Sequence, residues 1–284
     1  MTQFGYGNSG SSGSGITLRL IIGVVIAIYG IVTYLAHTSV NPTTGEKQHV
    51  HMTSDQEIAL GLQSAPQMAA QMGGEAPASD PDKQEVSKVG NTVVDHSDAH
   101  NSPYHYQFHL LNDQQTVNAF ALPGGQVFIT RALYDKLTDE AELAGVLGHE
   151  SGHVVERHSA QQVEKGRLGE TLVVATGIAS SDRQNGYAAT AMAQMADQMI
   201  QLRFSRADES QADQRGLQFM TEAGYDPRAM IDVMKILQSI SAGGNTPEFL
   251  QTHPDPGNRI EAIQEWLSAN PDRSRELTRG NKLH

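Results

Sequence analysis

His149, Glu150 and His153 are the residues whose types and spacing are best suited to chemistry, because they form the pattern His-Glu-x-x-His. Residues four apart lie on one face of a helix, so the two imidazoles can bind a single metal ion such as Zn²⁺. Glu150 follows the first imidazole, where its carboxylate can reach a metal-bound water and act as a general base. The pattern therefore predicts hydrolysis assisted by a metal ion.

A catalytic zinc site needs three protein ligands and one open position, so a third ligand should come from a second helix. The segment Phe204–Gly216 contains Glu209 and Asp213, which lie one helical turn apart. Glu209 can bind the metal, and Asp213 can accept the free ring N–H of a ligand histidine, which fixes the tautomer of that ring. Either pattern alone also occurs on solvated helices with surface histidines and carboxylates. Their combination favours a metal site.

The helix that must position His149 and His153 is predicted to begin after Asp139, a suitable N-cap with Glu142 three residues later. No proline interrupts residues 138–158. An apolar stripe gives this helix a face to bury, and its residues are Leu143, Val146 and Leu147. We therefore expect the motif to lie on one helix that faces another.

Two segments before this helix have strand patterns. Residues 104–111 alternate apolar and polar side chains, typical of a half-buried strand with His105 and His109 on its polar face. Residues 116–130 contain two β-rich runs around Pro123-Gly124-Gly125, which predicts a hairpin. Helical patterns cover residues 54–72, 81 to about 94, 161–202 with a break at 180–186, 208–223, 227–239 and the segment from 256 onward. Within them, residues 188–200 are interpreted as a packing helix rich in Ala and Met. The predicted fold class is α+β, mostly helical with a small β-hairpin or sheet.

The composition limits both the partners and the chemistry of the chain. The formal net charge of −12 argues against nucleic acid as a partner. The chain has no cysteine, so disulfides, thiol nucleophiles and cysteine-ligated zinc are impossible. Any metal site must therefore use histidine and carboxylate ligands.

The N-terminal region predicts a membrane anchor. Residues 1–15 are rich in Gly and Ser and predict a disordered tail, and residues 16–36 form the predicted transmembrane helix. Its uncharged part, from Leu20 to Ala36, would span about 25 Å, near the lower limit for crossing a bilayer. A cleaved signal peptide is the alternative, although no Ala-x-Ala cleavage site follows. Arg19 favours an N-terminus inside and a catalytic domain outside the cytoplasm, which would be periplasmic in a bacterium.

Four motifs occur in an order that resembles one family of enzymes. They are Asn118-Ala-Phe-Ala-Leu-Pro-Gly-Gly125, Leu147-Gly-His-Glu-x-Gly-His-Val-x-x-Arg-His158, Phe204-Ser-Arg-x-x-Glu-x-x-Ala-Asp213, and Thr252-His253-Pro254 with Arg259-Ile260. In these motifs, which fall within residues 116–263, the chain resembles the HtpX-like and CAAX-prenyl-protease-like zinc endopeptidases of the gluzincin clan. It differs from HtpX-like members in having a single predicted membrane span, which looks more like the periplasmic members of bacteria. It also has Ser151 where an apolar residue is usual.

The resemblance implies a zincin-like metalloprotease fold, one Zn²⁺ per chain and a polypeptide substrate among misfolded or misassembled envelope proteins. It implies that His149, His153 and Glu209 are the metal ligands and that Glu150 is the general base. Asp213 would support a ligand histidine from behind. The sequence leaves the natural substrate, the cleavage specificity and the oligomeric state open.

Two further roles concern the substrate. The peptide is expected to add as an extended strand along the predicted hairpin, at Asn118, Ala119, Phe120 and Ala121. His253 is interpreted as a catalytic residue that donates to the oxyanion, or as a fourth zinc ligand that holds the site closed. The alternative for His253 is a surface side chain before Pro254.

A second class of function is a non-catalytic, zinc-stabilised binding or chaperone-like protein for unfolded chains. Glu150 argues against it, because a structural zinc site does not need that carboxylate. The expected organisation of the rest of the chain is a polar linker at residues 37–53, a metalloprotease domain at residues 54–270 and a flexible tail at residues 271–284. His49 and His51 are interpreted as solvated side chains of the linker.

Overall fold

The computed structural model describes residues 13–180, 203–244, 246–254, 259–271 and 277–284. Within these ranges the chain is mostly helical and carries two small sheets, so the predicted α+β class is confirmed. Three expectations lie outside the described residues. They are the first twelve residues of the tail predicted at 1–15, the Ala- and Met-rich helix at 188–200 and the beginning of the last predicted helix at 256. Residues 13–15, also predicted as tail, belong to the first helix.

The elements follow the chain in an order close to the predicted one. The first group is α1 (Gly13–Ala36), β1 (Ser39–Val40), β2 (Lys47–Gln48), α2 (Ser54–Gln71), α3 (Pro81–Asp95), β3 (Gln107–Leu111), β4 (Ala119–Leu122) and β5 (Gln126–Thr130). The second group is α4 (Arg131–Tyr134), α5 (Glu140–Val155), α6 (His158–Ser180), α7 (Arg206–Glu222), α8 (Ala229–Ala242), α9 (Glu248–Thr252) and α10 (Arg259–Ala269). The short α9 had no helical pattern long enough to predict it.

The larger sheet places the predicted hairpin at one edge. Its strand order is β3-β5-β4, with β3 parallel and β4 antiparallel to β5. The turn between β4 and β5 requires glycine, because Gly124 has φ +83° and a Cβ there would lie 2.4 Å from Ile58 Cα. β4 therefore lies at an edge of this sheet and packs against α5.

Helix α5 carries the His-Glu-x-x-His motif through the centre of the core, and all of its residues are buried. Asp139 caps its N-terminus as predicted, accepting a hydrogen bond from the Glu142 backbone N–H. Helix α7 packs directly against it. The backbones meet at Gly216, where a Cβ would lie 3.0 Å from the backbone nitrogen of His149. This close approach brings the residues of α7 within reach of the histidines on α5.

The segment expected as a polar linker is instead packed on the domain. β1 and β2 form an antiparallel pair, and Val50 and Met52 are buried. Asn41 and Gln48 are also buried, and their side-chain amides donate to backbone carbonyls at the end of α5. The expectation failed because the polar residues that looked solvated satisfy these carbonyls. The two linker histidines also have neighbours: His49 stacks on Tyr34, and His51 Nδ1 lies 3.2 Å from Glu164 Oε2.

The last described residues also differ from the expected flexible tail. The backbone carbonyls of Arg279 and Asn281 accept hydrogen bonds from Ala141 and Glu140, in the first turn of α5. The Arg279 guanidinium pairs with three carboxylates, those of Asp139, Glu142 and Asp232. The charges that suggested a frayed tail are therefore ion-paired. Residues 278–283 fasten the beginning of α5.

Helix α1 fits the predicted membrane span by length and composition. Among the described residues it is the helix long and apolar enough to cross a membrane, over Leu18–Ala36 with a mean hydropathy of 2.2. Most of its large apolar side chains are exposed. One side packs along α6, where a Cβ on Gly30 would lie 2.9 Å from Thr171 Cγ2.

Candidate metal centre

Four side chains from three parts of the fold meet in the core. α5 contributes His149 and His153, α7 contributes Glu209, and His253 follows α9 directly. One nitrogen or oxygen atom of each lies within 4.8 Å of those of the others, and all four residues are buried. The structure thus brings together the three residues predicted as ligands and His253, which the sequence had suggested as an oxyanion donor or a fourth ligand. The surface alternative for His253 is excluded, because its side chain is 1% exposed.

The separations between these atoms match those around a metal ion. His149 Nε2 lies 3.1 Å from His153 Nε2 and 3.4 Å from His253 Nδ1. Glu209 Oε1 lies 3.0 Å from His253 Nδ1 and 3.4 Å from His153 Nε2. Tetrahedral ligands at about 2.0–2.1 Å from zinc would be about 3.3 Å apart. The donor atoms converge on one point, and the group fits a metal ion.

Glu150 lies beside this group with a different environment. Its side chain is fully buried, and neither carboxylate oxygen has a hydrogen-bond partner among the described residues. Glu150 Oε1 lies 3.6 Å from His253 Nε2. Burial raises the pKa of Glu150. A buried carboxylate without partners is costly to the fold, so its retention points to a role in chemistry.

Asp213 and Arg259 determine which nitrogen of His149 is free. His149 Nδ1 donates to Asp213 Oδ1 over 2.9 Å, which leaves Nε2 unprotonated and facing the cluster. Burial alone would raise the pKa of Asp213. The Arg259 guanidinium and the hydrogen bond from His149 outweigh burial and hold this pKa below its ordinary value. Arg259 donates to both oxygens of Asp213, and its Nη1 lies 3.2 Å from Glu209 Oε2. Arg259 was part of a quoted motif, but only its position in the fold indicates this role.

His158 supports His153 in the same way, and the sequence did not predict it. His158 Nε2 donates to Gln211 Oε1 over 3.0 Å, so His158 Nδ1 is an acceptor. It lies 2.9 Å from His153 Nδ1, which must then carry a proton and leave Nε2 free for a metal. Burial holds the pKa of both histidines below their ordinary value, so both rings are neutral near neutral pH. The sequence feature that could have indicated this role is the Arg157-His158 pair, which directly follows the metal motif.

Aromatic rings enclose the cluster. Phe204 lies over His153 with 4.1 Å between ring centroids, and Phe249 stacks on His253 at 4.5 Å. Both phenylalanines are buried. An apolar enclosure strengthens electrostatic interactions within the site, because it lowers the local dielectric constant.

The predicted substrate residues lie on and just before β4. Thr130 N donates to Asn118 O, which directs the backbone groups of Asn118 and Phe120 towards β5. The backbone groups of Ala119 and Ala121 therefore point away from β5. One of them, Ala121 O, accepts a hydrogen bond from Ser159 Oγ over 3.1 Å.

The fold and this centre define the class of protein: a zincin-like metallopeptidase domain, built on a central His-Glu-x-x-His helix. The chain belongs to peptidase family M48, whose family model matches residues 80–267. The resemblance to HtpX-like zinc metallopeptidases drawn from the four sequence motifs is thereby confirmed.

The chain is also similar in sequence to proteases from bacteria and from a fungus. The "Beta-barrel assembly-enhancing protease" of Yersinia pestis is 33% identical over 232 residues, which are 77% of this chain and 45% of that protein. The protein of the same name from Escherichia coli (strain K12) is 32% identical over 216 residues, 72% of this chain and 43% of that protein. "Mitochondrial metalloendopeptidase OMA1" of Schizosaccharomyces pombe is 30% identical over 253 residues, 87% of this chain and 71% of that protein. The chain spans less than half the length of the two bacterial relatives.

Proposed function

We propose that the chain is a membrane-anchored, zinc-dependent endopeptidase that hydrolyses peptide bonds of misfolded or misassembled envelope proteins. The observation that carries the proposal is Glu150, a buried carboxylate without a partner among the described residues, next to a convergent set of metal-binding atoms. Membership of peptidase family M48 and the names of the relatives support it.

His149, His153 and Glu209 would hold the metal. Neutral imidazoles and one carboxylate in a tetrahedral arrangement favour zinc, and two histidines with a glutamate are a known ligand set of catalytic zinc sites. When bound, zinc supplies a Lewis acid that activates water and polarises the scissile carbonyl. Asp213 and His158 keep both imidazoles in the tautomer that binds metal.

Glu150 would move the proton. Its carboxylate accepts a proton from the attacking water and returns it to the amine that leaves. The raised pKa caused by burial makes the carboxylate a stronger base than one in water. The absence of hydrogen bonds from described residues leaves both oxygens available for this transfer.

His253 would be a fourth ligand that keeps the site closed until it moves away. Its Nδ1 faces His149 Nε2 and Glu209 Oε1, which is the position of a ligand atom. The other role considered from the sequence, donation to an oxyanion, would use the Nε2 atom. That atom lies 3.6 Å from Glu150 Oε1 and has no hydrogen-bond partner among the described residues.

The substrate would pair with the edge of β4. An extended peptide adds backbone hydrogen bonds there with little dependence on its side chains, which suits a protease for many unfolded chains. The outward backbone groups of Ala119 and Ala121 would be the partners, with Asn118 and Phe120 shaping the strand. The α1 helix would anchor the protein, and Arg19 favours a domain outside the cytoplasm. We propose a metalloprotease domain at residues 54–270, extended by the packed segments on either side.

The experiment compares proteolysis of an unfolded protein by the full chain with that of Glu150→Gln. The variant should lose activity by at least about 100-fold, because the proton acceptor is missing, and should retain its zinc. Glu222→Gln, a surface substitution with the same chemical change, is the control. A chelator should abolish activity and added zinc should restore it. Activity of Glu150→Gln within about tenfold of the parent would rule out Glu150 as the general base. Absence of chelator-sensitive proteolysis by the parent would instead favour the non-catalytic binding protein.

A further inference from the structure

A sharp corner separates the helix that carries the metal ligands from the helix that follows. α5 ends at Val155 and α6 begins at His158, although no proline interrupts residues 138–158. Of the two residues between them, Arg157 has φ +59°, a left-handed conformation that is unfavourable for a residue with a Cβ. Within the described residues it is the one non-glycine with positive φ.

The corner is what allows His158 to reach His153. On a continuous helix, residues five apart would be separated by about 140° around the axis and their rings would not meet. In the folded chain the two Nδ1 atoms lie 2.9 Å apart. The support that His158 gives to His153 therefore depends on the geometry of residues 155–158, which we call the α5–α6 corner.

Interrupting the helix leaves backbone carbonyls that a continuous helix would have satisfied. Two buried side chains from the segment just after α1 donate to them. Asn41 Nδ2 donates to Val155 O over 2.8 Å, and Gln48 Nε2 donates to Glu156 O over 2.9 Å. Both belong to the juxtamembrane hairpin, residues 39–48, which contains β1 and β2.

The side chain of Arg157 is held by the same region of the chain. Its Nη1 donates to Ser39 Oγ over 3.0 Å, and its Nη2 donates to Met52 O over 2.7 Å. Its Nε donates to the buried carboxylate of Glu57, which also accepts from Tyr104 OH. The unfavourable backbone of Arg157 is thus maintained by contacts that the residues after the membrane helix supply.

We propose that the juxtamembrane hairpin is a positioning element of the metal centre. It holds the α5–α6 corner in the conformation that places His158 against His153, and so it keeps the Nε2 lone pair of His153 directed at the metal. The inference rests on His153 as a ligand, which is part of the proposed function. It predicts that metal affinity depends on two amides that lie outside the metal centre and touch none of its ligands.

The test removes the two donors with little change of shape. Asn41→Asp retains Oδ1, which accepts from Thr43 N over 2.9 Å and closes the hairpin turn, but loses the donor to Val155 O. Gln48→Met replaces the other amide with an apolar side chain of similar length. The matched control is Asn281→Asp, because Asn281 Nδ2 donates to Glu140 Oε1 at the opposite end of α5.

The measurement is the zinc dissociation constant of the full chain in detergent, by competition with a chelator. The Asn41→Asp/Gln48→Met protein should bind zinc about 10-fold more weakly or worse, as when a group behind a ligand is lost. The control should stay within about twofold of the parent. If the double variant does not fold, the zinc affinity of Gln48→Met alone is measured. It should fall below that of the parent, though by less than in the double variant. An affinity within about twofold of the parent would overturn the proposal.

A cycle with His158→Ala separates positioning from general stability. His158→Ala should itself weaken zinc binding by about 10–100-fold. In that background the hairpin substitutions should have no further effect, because the ring through which they act is absent. An undiminished effect would overturn the proposed route. His153→Ala, measured in parallel, should lose zinc; if it did not, the ligand assignment would be the part at fault.

Discussion

Three buried carboxylates, Glu150, Glu209 and Asp213, lie in or beside the metal centre, and their neighbours give them different chemistry. Arg259 contacts both Glu209 and Asp213. Burial alone would raise the pKa of Glu209. The adjacent His253 and His153 outweigh burial and hold this pKa well below its ordinary value. Glu150 has no such neighbours at hydrogen-bond distance among the described residues, and its pKa is raised. Two carboxylates are therefore suited to remain anions, and the third is suited to gain a proton.

Glu209→Ala and Asp213→Ala are expected to differ in kind. The first removes a ligand, so zinc and activity should be lost together. The second removes the acceptor behind His149, so zinc affinity or activity should fall by about 10–100-fold while a weaker site remains. Zinc stoichiometry after dialysis against a mild chelator, beside turnover of an unfolded protein, measures both.

Full zinc occupancy and normal turnover in Glu209→Ala would contradict its assignment as a ligand. Two other acidic residues that could take its place as a ligand, Glu156 and Asp208, have partners elsewhere. Glu156 Oε1 accepts from Arg215 Nε over 2.7 Å, and Asp208 Oδ2 accepts from Ser205 N over 2.8 Å.

His253→Ala is expected to raise basal proteolysis with zinc content unchanged, because the fourth position is opened. The rise should be about tenfold or more if the closed form dominates. Phe249→Leu, which alters the ring stacked on His253 while leaving every metal-binding atom in place, should act in the same direction but more weakly. A fall of about 10²–10³ would instead identify His253 as a donor to the oxyanion, and no change would remove both roles.

Among individual residues, the sequence predicted those that lie close together because they are a few positions apart on one helix. His149 and His153 share a helix face, and the same rule relates Glu209 to Asp213. His158 was not predicted, because five residues of continuous helix would point it away from His153. Arg259 was not assigned a role, because its contacts with α7 depend on how two helices pack.

At the scale of elements, α5 is completed by segments distant in sequence. Its first N–H groups donate to carbonyls of residues 279 and 281, and its last carbonyls accept from residues 41 and 48. Lys88 on α3 also contacts its first turn, with Nζ 2.6 Å from Glu140 Oε1.

The Glu140 pair predicts a pH dependence of stability. Although burial opposes it, Lys88 and Asn281 lower the pKa of Glu140 from 4.5 to about 2. Because the folded pKa is lower than the unfolded one, the ionised carboxylate stabilises the fold above about pH 4.5, and this contribution disappears as the pH falls towards 2. Glu140→Gln should therefore unfold at a lower temperature than the parent at pH 7, and the difference should shrink between pH 4.5 and pH 2.

Thermal unfolding followed by circular dichroism at several pH values measures this difference. Glu85→Gln, which alters a neighbouring carboxylate on α3, is the comparison. A gap between parent and Glu140→Gln that stays constant with pH would show that the pair does not act through the charge of Glu140.

The sequence predicted helices and the hairpin well, since periodicity and turn residues act locally. Ser54 and Glu57 also match the capping-box pattern, but Thr53 and Gln56 form the capping box of α2. Glu57 is thereby released to pair with Arg157. The roles of residues 37–53 and 278–283 escaped prediction because their partners are backbone groups of α5 and side chains distant in sequence, and no local pattern reveals either.

At the scale of the whole molecule, we expect α1 to retain the protein in the membrane. Carbonate washing of membranes should leave the full chain in the pellet, and protease added to spheroplasts of a bacterial host should digest its soluble part. Val25→Arg, on an exposed part of α1, places a charge costing about 2.5–3.5 kcal/mol near the middle of the helix and should release the protein. Val25→Leu is the control.

Release of the parent protein by carbonate, or full resistance to protease outside the inner membrane, would contradict this topology. A cleaved signal sequence would show itself in the same experiment, as a shorter protein in the soluble fraction.

The C-terminal fastening of α5 has a consequence for biosynthesis. The N–H groups of Glu140 and Ala141 donate to carbonyls that lie about 140 residues further along the chain. A growing chain therefore carries its metal-binding histidines long before the helix that bears them can be completed. We expect the nascent protein to be harmless to its neighbours and to the machinery that delivers it, with hydrolysis beginning only after synthesis has passed residue 283.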